Sequence, residues 1–179
     1  MRLRRALFGT ALLGALFFGS AMASPIETWV PDAGEMLDQD EECFGQPATI
    51  VGTAENDTLE GTPGNDVIVL KLGSDFVDAL GGADLVCGGR GNDTILGGDG
   101  RDSMAGAAGK DFVDGGKGDD DLFAGGGNDR PYGDTDVNAG VFGGSGTDLL
   151  DGGPGKDLGV GGAGIDDCRD IEERAQCEN

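Results

Sequence analysis

Residues 88–105 read GGRGNDTILGGDGRDSMA, the same nine-residue unit twice over: a Gly-rich hexapeptide closed by aspartate, then three residues with an apolar one in the middle. The unit recurs along most of the chain. Asp57, Asp66, Asp75, Asp84, Asp93, Asp102, Asp111, Asp120 and Asp129 stand nine residues apart, and after one extra residue the series resumes at Asp148, Asp157 and Asp166. A short fixed period marks one small unit stacked many times, so the repeat decides the fold before anything else does.

Glycine reaches positive φ freely, so a Gly-rich hexapeptide makes a tight turn. The triplet that follows, such as Thr94-Ile95-Leu96, has room only for a very short strand whose central side chain points inward. Leu59, Ile68, Val77, Val86, Ile95, Met104, Val113, Leu122 and Leu150 occupy that central position. Two turns and two strands make one coil of eighteen residues, and coils stack at the strand spacing of roughly 4.8 Å. The pattern predicts an all-β parallel solenoid over residues 43–169, about six and a half coils and roughly 30 Å long. Two short sheets should face each other across a single file of aliphatic side chains.

The frame breaks once, at residues 130–142 (RPYGDTDVNAGVF). There Pro131 takes the inward position, Asn138 falls where aspartate is due, and one residue is inserted before Gly143. Proline donates no ladder hydrogen bond, so a weak joint or bulge is expected. Gly159 leaves a second gap in the aliphatic file. The tail, residues 170–179, predicts a short capping helix with Asp170 and Glu173 as its capping box, because an open sheet end invites aggregation.

One aliphatic residue in nine does not offset the entropy of ordering the other eight. The turns must supply the missing cohesion. Each aims backbone carbonyls inward and adds a carboxylate, and turn n lies over turn n+2. A stacked pair thus offers two aspartates and several carbonyls to one cavity. That all-oxygen set of about six ligands suits a hard cation, above all Ca²⁺. The chain has no histidine and no cysteines beside the turns in sets, which disfavours zinc, copper and iron. The aspartates have a second reading, as Asx-turn formers of a metal-free solenoid, but the thin core and strong negative charge favour the cation.

The pattern G-G-x-G-x-D-x-U-x resembles the RTX nonapeptide of bacterial calcium-binding β-rolls, over about residues 52–168. The resemblance implies a parallel β-roll (a β-helix-type solenoid) with Ca²⁺ between turns n and n+2. The ligands it implies are Asp57, Asp66, Asp75, Asp84, Asp93, Asp102, Asp111, Asp120, Asp129, Asp148, Asp157 and Asp166, with turn carbonyls such as those of Gly88, Gly97 and Gly115. The best-formed pairs are Asp84 with Asp102, Asp93 with Asp111, Asp102 with Asp120, Asp111 with Asp129, and Asp148 with Asp166. The first coils depart from the pattern: GTAEND carries Glu55, and LKLGSD carries Leu70 and Leu72, where glycine is expected in several places.

Upstream of the repeats, Arg2, Arg4 and Arg5 precede an apolar run from Ala6 to Phe18 and then Ala21-Met22-Ala23. That order predicts a secretory signal peptide at residues 1–23, too short and too Gly-broken for a membrane span. Its removal takes three arginines and no acids, moving the formal charge from −22 to −25. So acidic a chain excludes nucleic acid and anionic membranes as partners and demands counter-cations. Residues 24–42 read as an acidic flexible leader with Trp29 as its one large anchor. Four cysteines behind a secretion signal favour disulfides. The nine-residue spacing favours Cys168 with Cys177, leaving Cys43 with Cys87.

Other motifs do not hold. DTDVNAG (134–140) echoes an EF-hand loop, but Ala139 stands where glycine is required and Ser145 where glutamate is required. The sequons at Asn56 and Asn92 lie inside turns. Without histidine there is no Ser-His-Asp or Cys-His scheme. The expectation is a secreted calcium-binding protein without catalysis. The alternative is a calcium-dependent adhesion or cell-envelope protein with an extracellular protein partner.

Overall fold

The computed structural model describes residues 42–134 and 139–177, without the side chain of Asp134; the expected signal peptide and nearly all of the leader lie outside them. Among the described residues there is no helix, and none is long and apolar enough to cross a membrane. A small antiparallel hairpin comes first, β1 (Glu42–Cys43) with β2 (Gln46–Pro47). Sheet I is parallel: β3 (Ile50–Val51), β5 (Val67–Leu72), β8 (Leu85–Arg90), β10 (Ser103–Ala108), β12 (Asp121–Gly127), β14 (Gly140–Gly146), β16 (Leu158–Gly164) and β18 (Glu173–Ala175). Sheet II holds β4 (Thr58–Glu60), β6 (Phe76–Asp78), β9 (Thr94–Gly100), β11 (Phe112–Lys117), β13 (Arg130–Asp134), β15 (Leu149–Asp151) and β17 (Asp167–Arg169), with the short β7 (Gly81–Gly82) also on β9. The chain alternates between the sheets at every turn. Most strands therefore pair in parallel with the one eighteen residues on, as in Val86↔Met104 and Ile95↔Val113, with nineteen across the insertion and fifteen at the last strand. This is the expected parallel β-roll.

The aliphatic file is present. Ile68, Val77, Val86, Ile95, Met104, Val113, Leu122 and Leu150 are fully buried between the sheets. Leu70 and Ala79, at first turn positions where glycine is usual, add their side chains to the same core. The turn geometry overrides residue type elsewhere too: Lys71, Leu80 and Ala107 hold the positive φ of the second turn position (80°, 74° and 77°). The fourth position is stricter. Gly91 has φ 137°, and a β-carbon on it would collide with the Gly73 carbonyl of the coil beneath. Glu55 stands at this position only in the first turn of the stack.

The frame break differs from expectation in its register. Asp121 pairs with Gly140 and Leu122 with Val141. Ala139, not Asn138, thus takes the place of the repeat aspartate, and Val141 fills the aliphatic file; Asn138 itself lies outside the described residues. Pro131 does sit in the inward position, paired with Val113 on one side. On its other side β13 keeps a single pairing, Tyr132↔Asp151, as expected where proline removes a donor.

The tail is a strand, not the expected helix: Asp170 turns the chain at φ 45°, and β18 pairs with β16 through Leu158↔Glu173 and Val160↔Ala175. A strand covers the open edge that a helix would leave unpaired. Ile171 fills the gap at Gly159, where even a β-carbon would strike its side chain. The disulfide Cys168–Cys177 ties the cap down, and Cys43–Cys87 ties the first hairpin to sheet I. Closing that 44-residue separation contributes about 4 kcal/mol by restricting the unfolded chain.

Candidate metal centre

Stacking places each turn aspartate over the one a full coil later, and a hydrogen bond records the register. The backbone N–H of Asp84 donates to Asp102 Oδ1 at 2.8 Å, Asp93 to Asp111 at 2.9 Å, Asp102 to Asp120 at 2.8 Å, Asp111 to Asp129 at 2.8 Å, and Asp148 to Asp166 at 3.0 Å. These are the five pairs that the nonapeptide resemblance names. Asp75 joins Asp93 in the same way, and Asp129 joins Asp148 across the inserted residue, both at 2.9 Å. That last pair is nineteen residues apart, so an eighteen-residue count passes over it.

The two edges of the roll are not equivalent. One column runs Asp57, Asp75, Asp93, Asp111, Asp129, Asp148 and Asp166 without a gap. The other runs Asp66, Asp84, Asp102 and Asp120, then meets Ala139, which offers no carboxylate before Asp157. It ends on Glu172, whose Oε2 accepts the Asp157 N–H at 2.9 Å as an aspartate would. Nothing in the nonapeptide spacing points to Glu172.

The second carboxylate oxygens separate two kinds of turn. Asp57 Oδ2 accepts the Thr53 N–H at 2.6 Å and the Thr53 hydroxyl at 2.9 Å. Asp66 Oδ2 does the same with Thr62, at 2.7 and 2.9 Å. At these two positions the Asx-turn reading holds. From Asp75 onward the second turn position carries no threonine. Oδ2 of Asp75, Asp84, Asp93, Asp102, Asp111, Asp129, Asp148 and Asp166 is then buried without a hydrogen-bond partner. Buried polar atoms are seldom left unmatched, and a repeated set marks a place where something binds.

Backbone oxygens lie beside these atoms. A β-carbon on Gly88 would come within 2.8 Å of Asp93 Oδ2 and 2.6 Å of the Gly106 carbonyl. On Gly97 it would meet Asp102 Oδ2 at 2.7 Å and the Gly115 carbonyl at 2.5 Å. On Gly115 it would meet Asp120 Oδ2 at 2.7 Å and crowd the Gly133 carbonyl. A side chain at any of the three would crowd both a carboxylate oxygen and a backbone carbonyl, so glycine keeps these cradles open. Among the described residues no three His, Cys, Asp or Glu side chains gather. A stacked pair brings two carboxylates, so carbonyls or waters would complete any coordination shell.

The electrostatics fit the same account. Burial pushes the Asp102 and Asp111 carboxyls up to about 6, only partly offset by the backbone N–H each accepts, with neighbouring aspartates pushing further upward. Asp75, Asp84, Asp93, Asp129 and Asp148 are raised for the same leading reason. Desolvated carboxylates stacked in columns are unfavourable to ionise unless a cation joins them.

Fold and turns together define a parallel β-roll with all-oxygen stacked turns. The model of the RTX calcium-binding nonapeptide repeat matches in four copies, residues 49–77, 61–95, 96–131 and 141–168, more than half of the chain. The protein belongs to this family, whose repeats bind calcium in a β-roll. The segment left unmatched before residue 141 coincides with the frame break. No curated protein matches the chain.

Proposed function

We propose that the protein is a secreted, non-catalytic calcium-binding module whose ions are held between stacked turns and are needed for its folding. The buried, unpartnered Oδ2 atoms carry this reading: without a cation they are a repeated cost, and with one they become ligands. The ligands are Asp75, Asp84, Asp93, Asp102, Asp111, Asp120, Asp129, Asp148 and Asp166, with first-position turn carbonyls such as those of Gly106 and Gly115. Asp57 and Asp66 serve chiefly as turn formers. The arginine-led apolar segment ending at Ala23 supports export, and two disulfides suit an oxidising compartment. Native mass spectrometry of the protein desalted from Ca²⁺ should show several discrete ions, all lost to chelator. A single adduct or none would overturn the reading, and an unprocessed Met1 terminus on exported protein would overturn the signal peptide.

One observation favours calcium-dependent adhesion to a cell-envelope or extracellular protein as a second reading. Along the outside of sheet I, Val51, Val69, Cys87, Ala105, Phe123, Phe142 and Val160 lie in register without a charge. The rings of Phe123 and Phe142 stack at 5.0 Å, and Phe44 leans on Phe123 at 6.1 Å. The matching column of sheet II reads Glu60, Asp78, Leu96, Asp114, Tyr132, Asp151 and Arg169, charged at five of its seven places. Recovery from envelope material that needs both calcium and Phe123 would support this reading; recovery unaffected by Phe123→Lys would remove it.

A further inference from the structure

We propose that the N-terminal coils, residues 49–87, form a calcium-independent seed on which the remaining coils assemble as calcium enters; this rests on the calcium reading for the later turns. Three separate features set these coils apart. The first is the turn chemistry. Thr53 and Thr62 each give Asp57 and Asp66 a backbone N–H and a hydroxyl at Oδ2, and the hydroxyls in turn accept N–H bonds from Glu55 at 3.1 Å and Gly64 at 3.2 Å. Those turns close on protein atoms alone. Every other turn aspartate named above with a buried, unpartnered Oδ2 lies from Asp75 onward.

The second feature is the core. β5 reads VIVLKL and buries Ile68 and Leu70 in the core, with Val69 buried on the outer face, where β10 and β12 each bury one large apolar side chain. Val77 and Ala79 face them from the other side, fully buried, with Ile50 and Leu59 packed alongside. More apolar area per ordered residue lowers the dependence on ions. The third is the covalent link. Cys43–Cys87 clamps the β1–β2 hairpin over β5 and β8, covering Val69 and tying the start of the first coil to the third strand of sheet I. A repeat stack folds by nucleation at its most stable units and growth through nearest neighbours. Here the column edges left open by the seed, Asp75 and Asp84, are the first pair members without threonine partners, so growth and ion entry begin together there.

Hydrogen exchange of the oxidised full chain, read by mass spectrometry in chelator and in calcium, tests the proposal. In chelator, amides of residues 49–87 should exchange about tenfold or more slowly than an unfolded chain, while residues 93–168 exchange freely. Calcium should protect both. The Thr53→Val/Thr62→Val double variant should lose the protection seen in chelator yet regain it with calcium, which separates loss of the seed from failure to fold. If residues 49–87 exchange freely in chelator and become protected only with the rest, the seed is refuted and the calcium reading stands. If residues 93–168 are equally protected with and without calcium, the calcium reading fails and the seed falls with it.

Discussion

Replacing Asp102 by asparagine should move the calcium-free and calcium-bound proteins in opposite directions. Asp102 is fully buried, its Oδ1 accepts the Asp84 N–H, its own N–H donates to Asp120, and its Oδ2 has no hydrogen-bond partner. Asparagine keeps the size and one acceptor but removes the charge. Without calcium that relieves a desolvated carboxylate, so residual β-structure in chelator at neutral pH should rise. With calcium, two adjacent sites lose a charge-assisted oxygen contact, about 1.5–3 kcal/mol apiece. The pairs 75–93, 93–111, 111–129, 129–148, 148–166, 84–102 and 102–120 give seven sites if each holds one ion. Spread over seven cooperative ions, a loss of about 3–6 kcal/mol raises the calcium midpoint of folding about two- to fourfold. Far-UV circular dichroism during a Ca²⁺ titration reads both effects. Asp57→Asn is the control, since Thr53 already holds Asp57 Oδ2, and it should shift the midpoint less. An unchanged midpoint in Asp102→Asn, or an equal shift in Asp57→Asn, would refute the stacked-pair account.

Mg²⁺ should replace Ca²⁺ poorly, because it demands octahedral geometry and keeps its waters; equal folding at equal concentration would mean general charge screening. Gly91→Ala should abolish the calcium-induced fold or raise its midpoint severely, since a β-carbon there collides with the Gly73 carbonyl, and a mild effect on the dichroism titration would contradict the turn geometry. The pH response is unusual in sign. The Asp102 and Asp111 carboxyls are raised to about 6 from an ordinary 3.8, so protonation favours the metal-free fold. That stability is fully present below the ordinary value and is lost as pH rises through about 6. Chelated protein should therefore gain β-structure on acidification between those values, while the calcium needed for folding rises; acid unfolding of the chelated chain would contradict this.

The solenoid and its two parallel sheets were legible in the chain because a nine-residue period leaves one way to stack turns, and the resemblance to the nonapeptide repeat supplied the five aspartate pairs. Both disulfide pairs were legible from spacing. What escaped depends on contacts that period does not encode. The insertion was placed by counting, which put Asn138 on the aspartate position; the sheet register seats Ala139 there and brings Val141 into the core. Asp170 and Glu173 matched a helix-capping pattern, but pairing with β16 won because it closes an exposed edge. Gly159 looked like a defect until Ile171, twelve residues on, filled it. The departures from glycine in the first turns have a simple cause at Glu55, which has no coil beneath it among the described residues. Thr53 and Thr62 escaped as well, since the nonapeptide pattern does not mark them as the groups that occupy Asp57 and Asp66.

The central claim is that cations between the turns hold the roll together. Far-UV circular dichroism of the processed chain, titrated from chelator into Ca²⁺, tests it most directly. The account predicts little β-structure beyond the first coils in chelator and a cooperative gain with calcium, at a midpoint of roughly 10⁻⁴–10⁻³ M as suits an extracellular module. A spectrum already that of the complete roll in chelator, and unmoved by calcium, would contradict it.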